Sequence, residues 1–355
     1  MRPRFDAQLV NEPFGDPGVY VDFRFEKRAL LFDLGDNTVL APKKLLRLSH
    51  VFVSHTHMDH FIGFDRLLRI CVGRQTGIHL FGPPGFIAQV GHKLAAYTWN
   101  LVHNYETDFI LTVTEIGDGE TDGRRQAHHA RFRSRLRFER EDLPGTTLDG
   151  GVLLQEEGFR VRAALLDHRT PCLGFALEES MHVNVWKNRL LAMGLQTGPW
   201  LRQMKRVLLA GRPDNEPVRA WWKERGAVRE RIVTLGELKA QALELVPGQK
   251  ICYVTDVVFH DDNRQRIAEL ARHADLLFIE SVFLDADSAH AQKKKHLTAR
   301  EAGTIARLAG ARLVVPFHFS PRYAGRESQL HAELAAAFGG QSTAHAACGA
   351  PAVRD

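Results

Sequence analysis

Cysteine is scarce in this 355-residue chain: there are four, Cys71, Cys172, Cys252 and Cys348, and no two lie close together. Such scatter excludes a disulfide framework and a cysteine-based zinc site, and it suits a reducing cytoplasm. Long apolar runs are missing too, so no segment is expected to span a bilayer and no membrane partner is expected. Residues 1–6 lack the apolar core of a secretory signal. These absences make the cytoplasm the expected location. Charge of one sign does not dominate: 47 Lys and Arg against 42 Asp and Glu leave +5, with a pI near 9.1. That balance permits a polyanionic partner without requiring one. The rest is ordinary for a globular protein, 44% hydrophobic and 25% charged. The length is enough for one elaborated domain or two.

The densest chemistry lies in Ser54-His55-Thr56-His57-Met58-Asp59-His60, with three histidines and one carboxylate between His55 and His60. The apolar run 51–53 before it reads as a buried strand, and the spacing over 61–70 after it suits a helix. His55 and His57, two apart, fall on one side of an extended backbone. Asp59 and His60 can approach from the other side of the turn. Imidazole nitrogen and carboxylate oxygen suit zinc and similar first-row metals. This His-x-His-x-Asp-His pattern resembles the metallo-β-lactamase fold superfamily. The resemblance implies that His55 and His57 serve one metal and that Asp59 and His60 serve a second.

Elsewhere the chain alternates strands, turns and helices, as an α/β protein does. Runs 19–25 and 28–32 suit a hairpin leading into Asp33-Leu34-Gly35. Asp33 is either a turn residue or an acceptor that orients a metal-bound histidine. Residues 77–85 read as a strand closing in a glycine-proline turn, and 86–102 as a helix. His79, His92 and His103 stand alone and read as structural or surface residues. Residues 117–150 read as the least regular part. Within them, 131–138 alternates strictly, with arginine on one face of a strand. Such a row either holds phosphates or simply faces solvent and blunts an edge. His128 and His129 are adjacent and so diverge. Residues 158–166 form a strand delivering Asp167-His168. Residues 181–238 look like an insertion rich in Lys, Arg and Trp, including Lys205 and Arg206. Basic side chains beside aromatics suit an RNA backbone, and equally a solvated helical hairpin. Strand 251–254 ends at Thr255-Asp256, where Asp256 is a bridging carboxylate or a cap. His260, Asp261 and Asp262 read as loop, 263–273 as helix, 274–279 as a strand ending at Glu280, and 313–317 as a strand delivering His318. Residues 330–338 close with a helix, and the tail from 339 is expected to fray.

Four segments resemble ribonuclease Z, the tRNA 3′-end processing branch of the superfamily. They are His168-Arg169-Thr170-Pro171-Cys172-Leu173-Gly174-Phe175 with Glu178-Glu179, the Gly-Pro step at Gly198-Pro199, His296-Leu297-Thr298, and His318-Phe319-Ser320-Pro321-Arg322-Tyr323. The resemblance implies a four-layer αβ/βα sandwich, one domain over 1–355 with a basic arm, 181–238, inserted in it. It implies two Zn²⁺, with Mn²⁺ or Fe²⁺ as alternatives. His55, His57 and His168 would hold one metal, Asp59, His60 and His318 the other, and Asp256 would bridge. Asp33 would orient a ligand, and Asp59 would orient or deprotonate the attacking water. His296, its ring held by Glu280, would protonate the departing 3′-oxygen. Ser320 and Arg322 would contact phosphate, and Lys205 and Arg206 RNA. The implied substrate is precursor tRNA and the implied assembly a homodimer. The alternative is a phosphodiesterase for small or cyclic nucleotides on the same scaffold. The chain departs from the family where Asn11-Glu12-Pro13-Phe14-Gly15-Asp16 replaces a Gly-Thr/Ser-rich loop, and where Ile279 replaces a histidine.

Overall fold

The computed structural model describes residues 4–74, 77–224 and 226–339. Cys348, Arg225 and the tail from 340 therefore lie outside the described residues. The chain divides into two compact units, one of residues 1–178 with 249–355, the other of residues 179–248.

Among the described residues, the first unit holds two sheets. One has eight strands in sequence order: β1 (Phe5–Leu9), β2 (Val19–Phe23), β3 (Ala29–Phe32), β4 (Leu48–Phe52), β5 (Gly77–Gly82), β6 (Ile110–Thr121), β7 (Arg124–Arg133) and β8 (Arg140–Asp149). The other draws on β9 (Val152–Glu156), β10 (Phe159–Asp167) and β11 (Pro171–Glu179). After the second unit's strands β12 (His182–Val185), β13 (Pro217–Glu224), β14 (Ala227–Thr234) and β15 (Leu243–Val246), it is completed by β16 (Lys250–Val254), β17 (Leu276–Glu280) and β18 (Val314–Phe317). Its order is β18-β17-β16-β11-β10-β9. β3 to β6 run parallel in the middle of the first sheet, and β16 to β18 run parallel at one end of the second.

Parallel strands covered on both faces need apolar residues at nearly every position, and these strands have them. In β3, Ala29 and Leu31 join the core under the helices Phe64–Cys71 and Phe86–Ala95, while Leu30 and Phe32 join the core between the sheets. In β16, Ile251 and Tyr253 face between the sheets. Cys252 and Val254 face the helices Asp261–Leu270, Ala299–Ala309 and Glu327–Phe338. Three cores separated by two sheets make a four-layer αβ/βα sandwich.

Several local readings need correction. Residues 117–150 are regular, forming most of the antiparallel β6-β7-β8 ribbon. Their glycines, which suggested breaks, sit at turns and a register shift. The strand over 131–138 stops at Arg133, where a 3₁₀ turn, Ser134–Leu136, follows. Three of its four arginines are matched by acceptors: Arg131 by Glu141, Arg133 by Asp108, and Arg135 by the Glu106 carbonyl. Those three side chains are therefore engaged within the fold. The helix over 86–102 ends at Ala95, where the Trp99 indole N–H donates to the Leu94 carbonyl at 2.7 Å. The helix over 61–70 is two pieces, Met58–Phe61 and Phe64–Cys71. Asp261 and Asp262 open a helix whose first turn is capped by the His260 ring.

The second unit has its own core of Val183, Leu190, Trp200, Met204, Leu235 and Leu238. It pairs β12 with β15 and β13 with β14, so it is no helical hairpin. In its helix Trp200–Leu209, Trp200, Met204 and Leu208 turn inward. Arg206 is exposed and Lys205 half-buried.

The Phe32 ring lies 5.4 Å from Phe52, 5.6 Å from Phe175 and 5.9 Å from Tyr253, centroid to centroid, at the middle of the inter-sheet core. Phe32→Ala is expected to cost about 3–5 kcal/mol through lost burial and the cavity left behind. Urea unfolding measures it; a loss under about 1 kcal/mol would mean that the two sheets repack easily.

Candidate metal centre

Residues of the site cluster at the ends of strands, and register explains why. Val254 pairs with Ile279, and Glu280 with Phe317. Asp256, two residues beyond β16, and His318, one residue beyond β18, therefore fall close to the level of Glu280. In the other sheet Phe32 pairs with Phe52, placing Asp33 beside the start of the histidine segment. Asp33, Asp256 and His318 all have positive φ (57°, 47° and 61°). A left-handed residue turns the chain sharply at a cost of about 1–2 kcal/mol. Such strain persists where surrounding contacts over-determine it, and it is typical of functional sites. Two glycines bring the loops together. A Cβ on Gly63 would sit 2.2 Å from the Gly35 carbonyl oxygen, and one on Gly35 would sit 2.5 Å from that of Asp59. Close approach lets the Leu34 N–H donate to the His60 carbonyl at 3.0 Å and the Gly63 N–H to the Leu34 carbonyl at 2.8 Å.

At the centre is Asp256, 2% exposed. Its Oδ2 lies 3.5 Å from His55 Nε2 and 3.3 Å from His168 Nε2. Its Oδ1 lies 3.3 Å from His60 Nε2 and 3.0 Å from His318 Nδ1. Each oxygen thus faces its own pair of imidazoles. Ligand-type atoms of His55, His57, His168 and Asp256 fall within 4.8 Å of one another, and so do those of Asp59, His60 and His318. Asp59 Oδ2 is 3.4 Å from His60 Nε2 and 3.3 Å from His318 Nε2.

Donor orientation fits metal binding. His55 Nε2, His60 Nε2 and His318 Nδ1 are buried without a hydrogen-bond partner, although each lies within 3.5 Å of Asp256. Buried polar nitrogens rarely stay unpartnered. Opposite nitrogens are held. His168 Nδ1 donates to the Lys295 carbonyl at 2.8 Å, which fixes the tautomer with the Nε2 lone pair toward Asp256. His60 Nδ1 meets Asp33 Oδ2 at 2.8 Å. Asp33 also accepts from the Ser54 N–H (2.6 Å), the Ser54 hydroxyl (2.7 Å) and the Tyr253 hydroxyl (2.7 Å). Ser54 and Tyr253 are supporting residues that sequence reasoning missed. Ser54 adjoins the histidine run, whereas Tyr253 carries no local signal and becomes visible only once the sheets are stacked.

Electrostatics divide the imidazoles. Burial, then the neighbouring His60, pushes His55 down to about 2, and burial with His168 lowers His57. Burial opposes the charge on His60 and His318 too, yet Asp256 outweighs it, and both hold protons well above the usual histidine range. Burial likewise opposes ionisation of Asp256, but His60 and His318 hold it well below the carboxylate range. A carboxylate-rich pocket that keeps two buried imidazoles charged is one that favours cations.

His296 and Glu280 come together: His296 Nδ1 is 2.9 Å from Glu280 Oε2. Burial lowers His296, but Glu280 outweighs it and raises its pKa. Glu280 is fixed by the Val257 and Leu297 N–H groups on Oε1, at 3.1 and 3.0 Å. Ser320 and Arg322 line a cavity of about 340 Å³ with Asp59, His296 and His318. Lys205 and Arg206 belong to the second unit and to none of these clusters.

Comparison with known proteins gives a consistent result. A Deinococcus radiodurans ribonuclease Z is 32% identical over 336 residues, 93% of this chain and 94% of that one. The chain belongs to the ribonuclease Z family. A family model described as a beta-lactamase superfamily domain matches residues 236–319, the part of this family member that carries Asp256, Glu280, His296 and His318. Among solved structures, the short form of human tRNase Z superposes with a TM-score of 0.51 at 20% identity, covering 90% of this chain and 93% of that one. The Bacillus subtilis metallo-beta-lactamase fold protein YhfI gives 0.52 at 16% identity, covering 95% and 94%. Both have this fold. No helix among the described residues is long and apolar enough to cross a membrane.

Asp33→Ala would leave His60 unoriented and the Ser54 and Tyr253 hydroxyls without their acceptor. Metal affinity is expected to fall about 10- to 100-fold, as read by chelator competition on the purified protein. Unchanged affinity would show that His60 keeps its orientation without this carboxylate.

Proposed function

We propose that this ribonuclease Z family member is a zinc-dependent endoribonuclease that removes the 3′ trailer of precursor tRNA, working as a homodimer. The observation that carries the two-metal reading is the pair of Asp256 oxygens, each facing its own histidines. His55, His57 and His168 would hold one Zn²⁺, and Asp59, His60 and His318 the other, with Asp256 shared. Mn²⁺ or Fe²⁺ would suit the same donors. Bound divalent ions would supply Lewis acidity, polarising the phosphodiester and lowering the pKa of water.

The chain's own residues supply positioning and proton transfer. Asp59, half-exposed at the edge of the cavity, orients the attacking water and accepts its proton. The water oxygen bonds to phosphorus as the bond to the 3′-oxygen breaks. His296, its Nδ1 committed to Glu280, delivers a proton from Nε2 to that departing oxygen. Glu280 keeps the ring turned and favours its charged form. General acid catalysis of this kind contributes about 10²- to 10⁴-fold.

The second unit is the candidate RNA-gripping arm, supported by its exposed cations and by the Arg189 guanidinium stacked 5.0 Å over Trp186. Its endpoints suit excision. Glu178 and Lys250 pair across β11 and β16, so a short turn can replace residues 179–248.

Two linked assays test this reading, using a precursor tRNA with a 3′ trailer and a small phosphodiester. His296→Ala is expected to lose about 10²- to 10⁴-fold in kcat on the precursor while retaining its metal count. The excised variant is expected to lose precursor cleavage and keep turnover of the small diester. Wild-type protein that turns over only the small diester would replace this reading with a phosphodiesterase.

A further inference from the structure

The catalytic cavity has a basic wall that the proposed chemistry does not use. It is built on the helix Ser288–Lys294, which contributes His290 and Lys294, and on the turn Pro321–Tyr323, which contributes Arg322. Phe283 organises it. The residue is 5% exposed and its backbone is pinned, with the Ala299 N–H donating to the Phe283 carbonyl at 2.7 Å. The His290 ring meets Phe283 edge-on at 5.1 Å, and the Arg322 guanidinium lies 5.7 Å from the same ring centre. The His296 ring is 6.3 Å away. One buried ring therefore sets a histidine and an arginine side chain at a fixed offset from the general acid.

Charge on this wall is only partly answered from within. Arg322 approaches Asp287 at 3.6 Å, and the Asp287 carboxylate also accepts from the Tyr323 hydroxyl. Lys294 has no ion-pair partner among the described residues, and Lys293 beside it is exposed. Phe14 and Asp16 line the same cavity, and Asp16 Oδ2 accepts from the Asp36 N–H at 2.9 Å. An exposed lysine lining a cavity that an arginine also lines suits a phosphate oxygen, and each such contact adds salt-dependent affinity.

We infer that Lys294, with His290 and Arg322, forms a subsite for the backbone phosphate next to the scissile one, making Lys294 a substrate-positioning residue. This rests on the ribonuclease reading for its substrate, a single-stranded RNA segment. The subsite would fix the strand so that the scissile phosphate sits between Asp59 and His296. Small diesters, lacking a neighbouring phosphate, would not engage it.

The test compares wild type, Lys294→Ala and Lys294→Arg on precursor tRNA over a range of salt concentrations. Lys294→Ala is expected to raise KM for the RNA several-fold more than KM for a small diester, with kcat less affected. It should also flatten the salt dependence of log(kcat/KM) by about 0.7, the value for one single-strand phosphate contact. Lys294→Arg should restore both. Equal salt slopes in wild type and Lys294→Ala would overturn the inference. A second readout covers failure of the RNA reading itself: a 5′-phosphorylated dinucleotide is used to inhibit small-diester hydrolysis. If wild type does not cleave precursor tRNA but inhibition weakens several-fold in Lys294→Ala, the phosphate subsite stands and the substrate assignment falls. Equal inhibition of the two proteins would sink the subsite.

Discussion

A carboxylate buried as deeply as Asp256 demands positive charge at both oxygens, and the arrangement of strand ends around it answers that demand. An isolated ionised carboxylate away from water would cost several kcal/mol even after relaxation. Here four imidazole nitrogens lie within 3.5 Å of its two oxygens. They come from the segment after β4, from the end of β10 and from the end of β18. Both sheets must therefore be in place before Asp256 is satisfied. Left-handed backbone at Asp33, Asp256 and His318 is the local cost of aiming those side chains inward. It is tolerated because the strands behind them are buried on both faces and cannot shift.

Support for the centre runs through the inter-sheet core. Tyr253, stacked with Phe32 and Phe317 between the sheets, donates its hydroxyl to Asp33, which holds His60. A phenol bonded to a carboxylate across two sheets ties ligand orientation to core packing. Mutations that loosen the aromatic stack are thus expected to weaken metal binding as well as stability. The glycine contact between residues 35 and 63 works in the same direction, since any side chain there would push the histidine loop away from Asp33.

Much of this was legible in the sequence where chemistry is dense and local. Three histidines and an aspartate within six positions announced a metal centre, and single charged residues after apolar runs, such as Asp256 and His318, lay at the expected strand ends. Their convergence came from family resemblance, since no spacing relates His168 to His55. Supporting groups were hidden for a physical reason. The Tyr253 hydroxyl and the Lys295 carbonyl act across strands far apart in sequence, and a backbone carbonyl has no sequence signal at all. Residues 117–150 were misread because glycine was taken as a breaker. There it serves turns and a register shift in long antiparallel strands, and much of β8 is too exposed to show apolar alternation.

Chain topology also explains how a stretch as long as residues 179–248 can interrupt the sequence of the sandwich without disturbing the site. β11 and β16 are antiparallel neighbours with Glu178 opposite Lys250, the geometry of a hairpin whose turn has grown. Loop-closure entropy rises slowly with length, about 0.6 kcal/mol per doubling. Expanding a few-residue turn to residues 179–248 therefore costs only a few kcal/mol. The unit's own core, with Trp200, Met204, Leu235 and Leu238 fully buried, offsets that cost, since each such side chain contributes about 1.5–3 kcal/mol. Neither term involves Asp256 or its histidines. The clustered histidines and carboxylates all belong to the first unit, so an insertion between β11 and β16 leaves their strands unaltered. That separation lets one chain carry the site residues together with an inserted unit that pairs β13 with β14, where a helical hairpin was one of two readings of its composition.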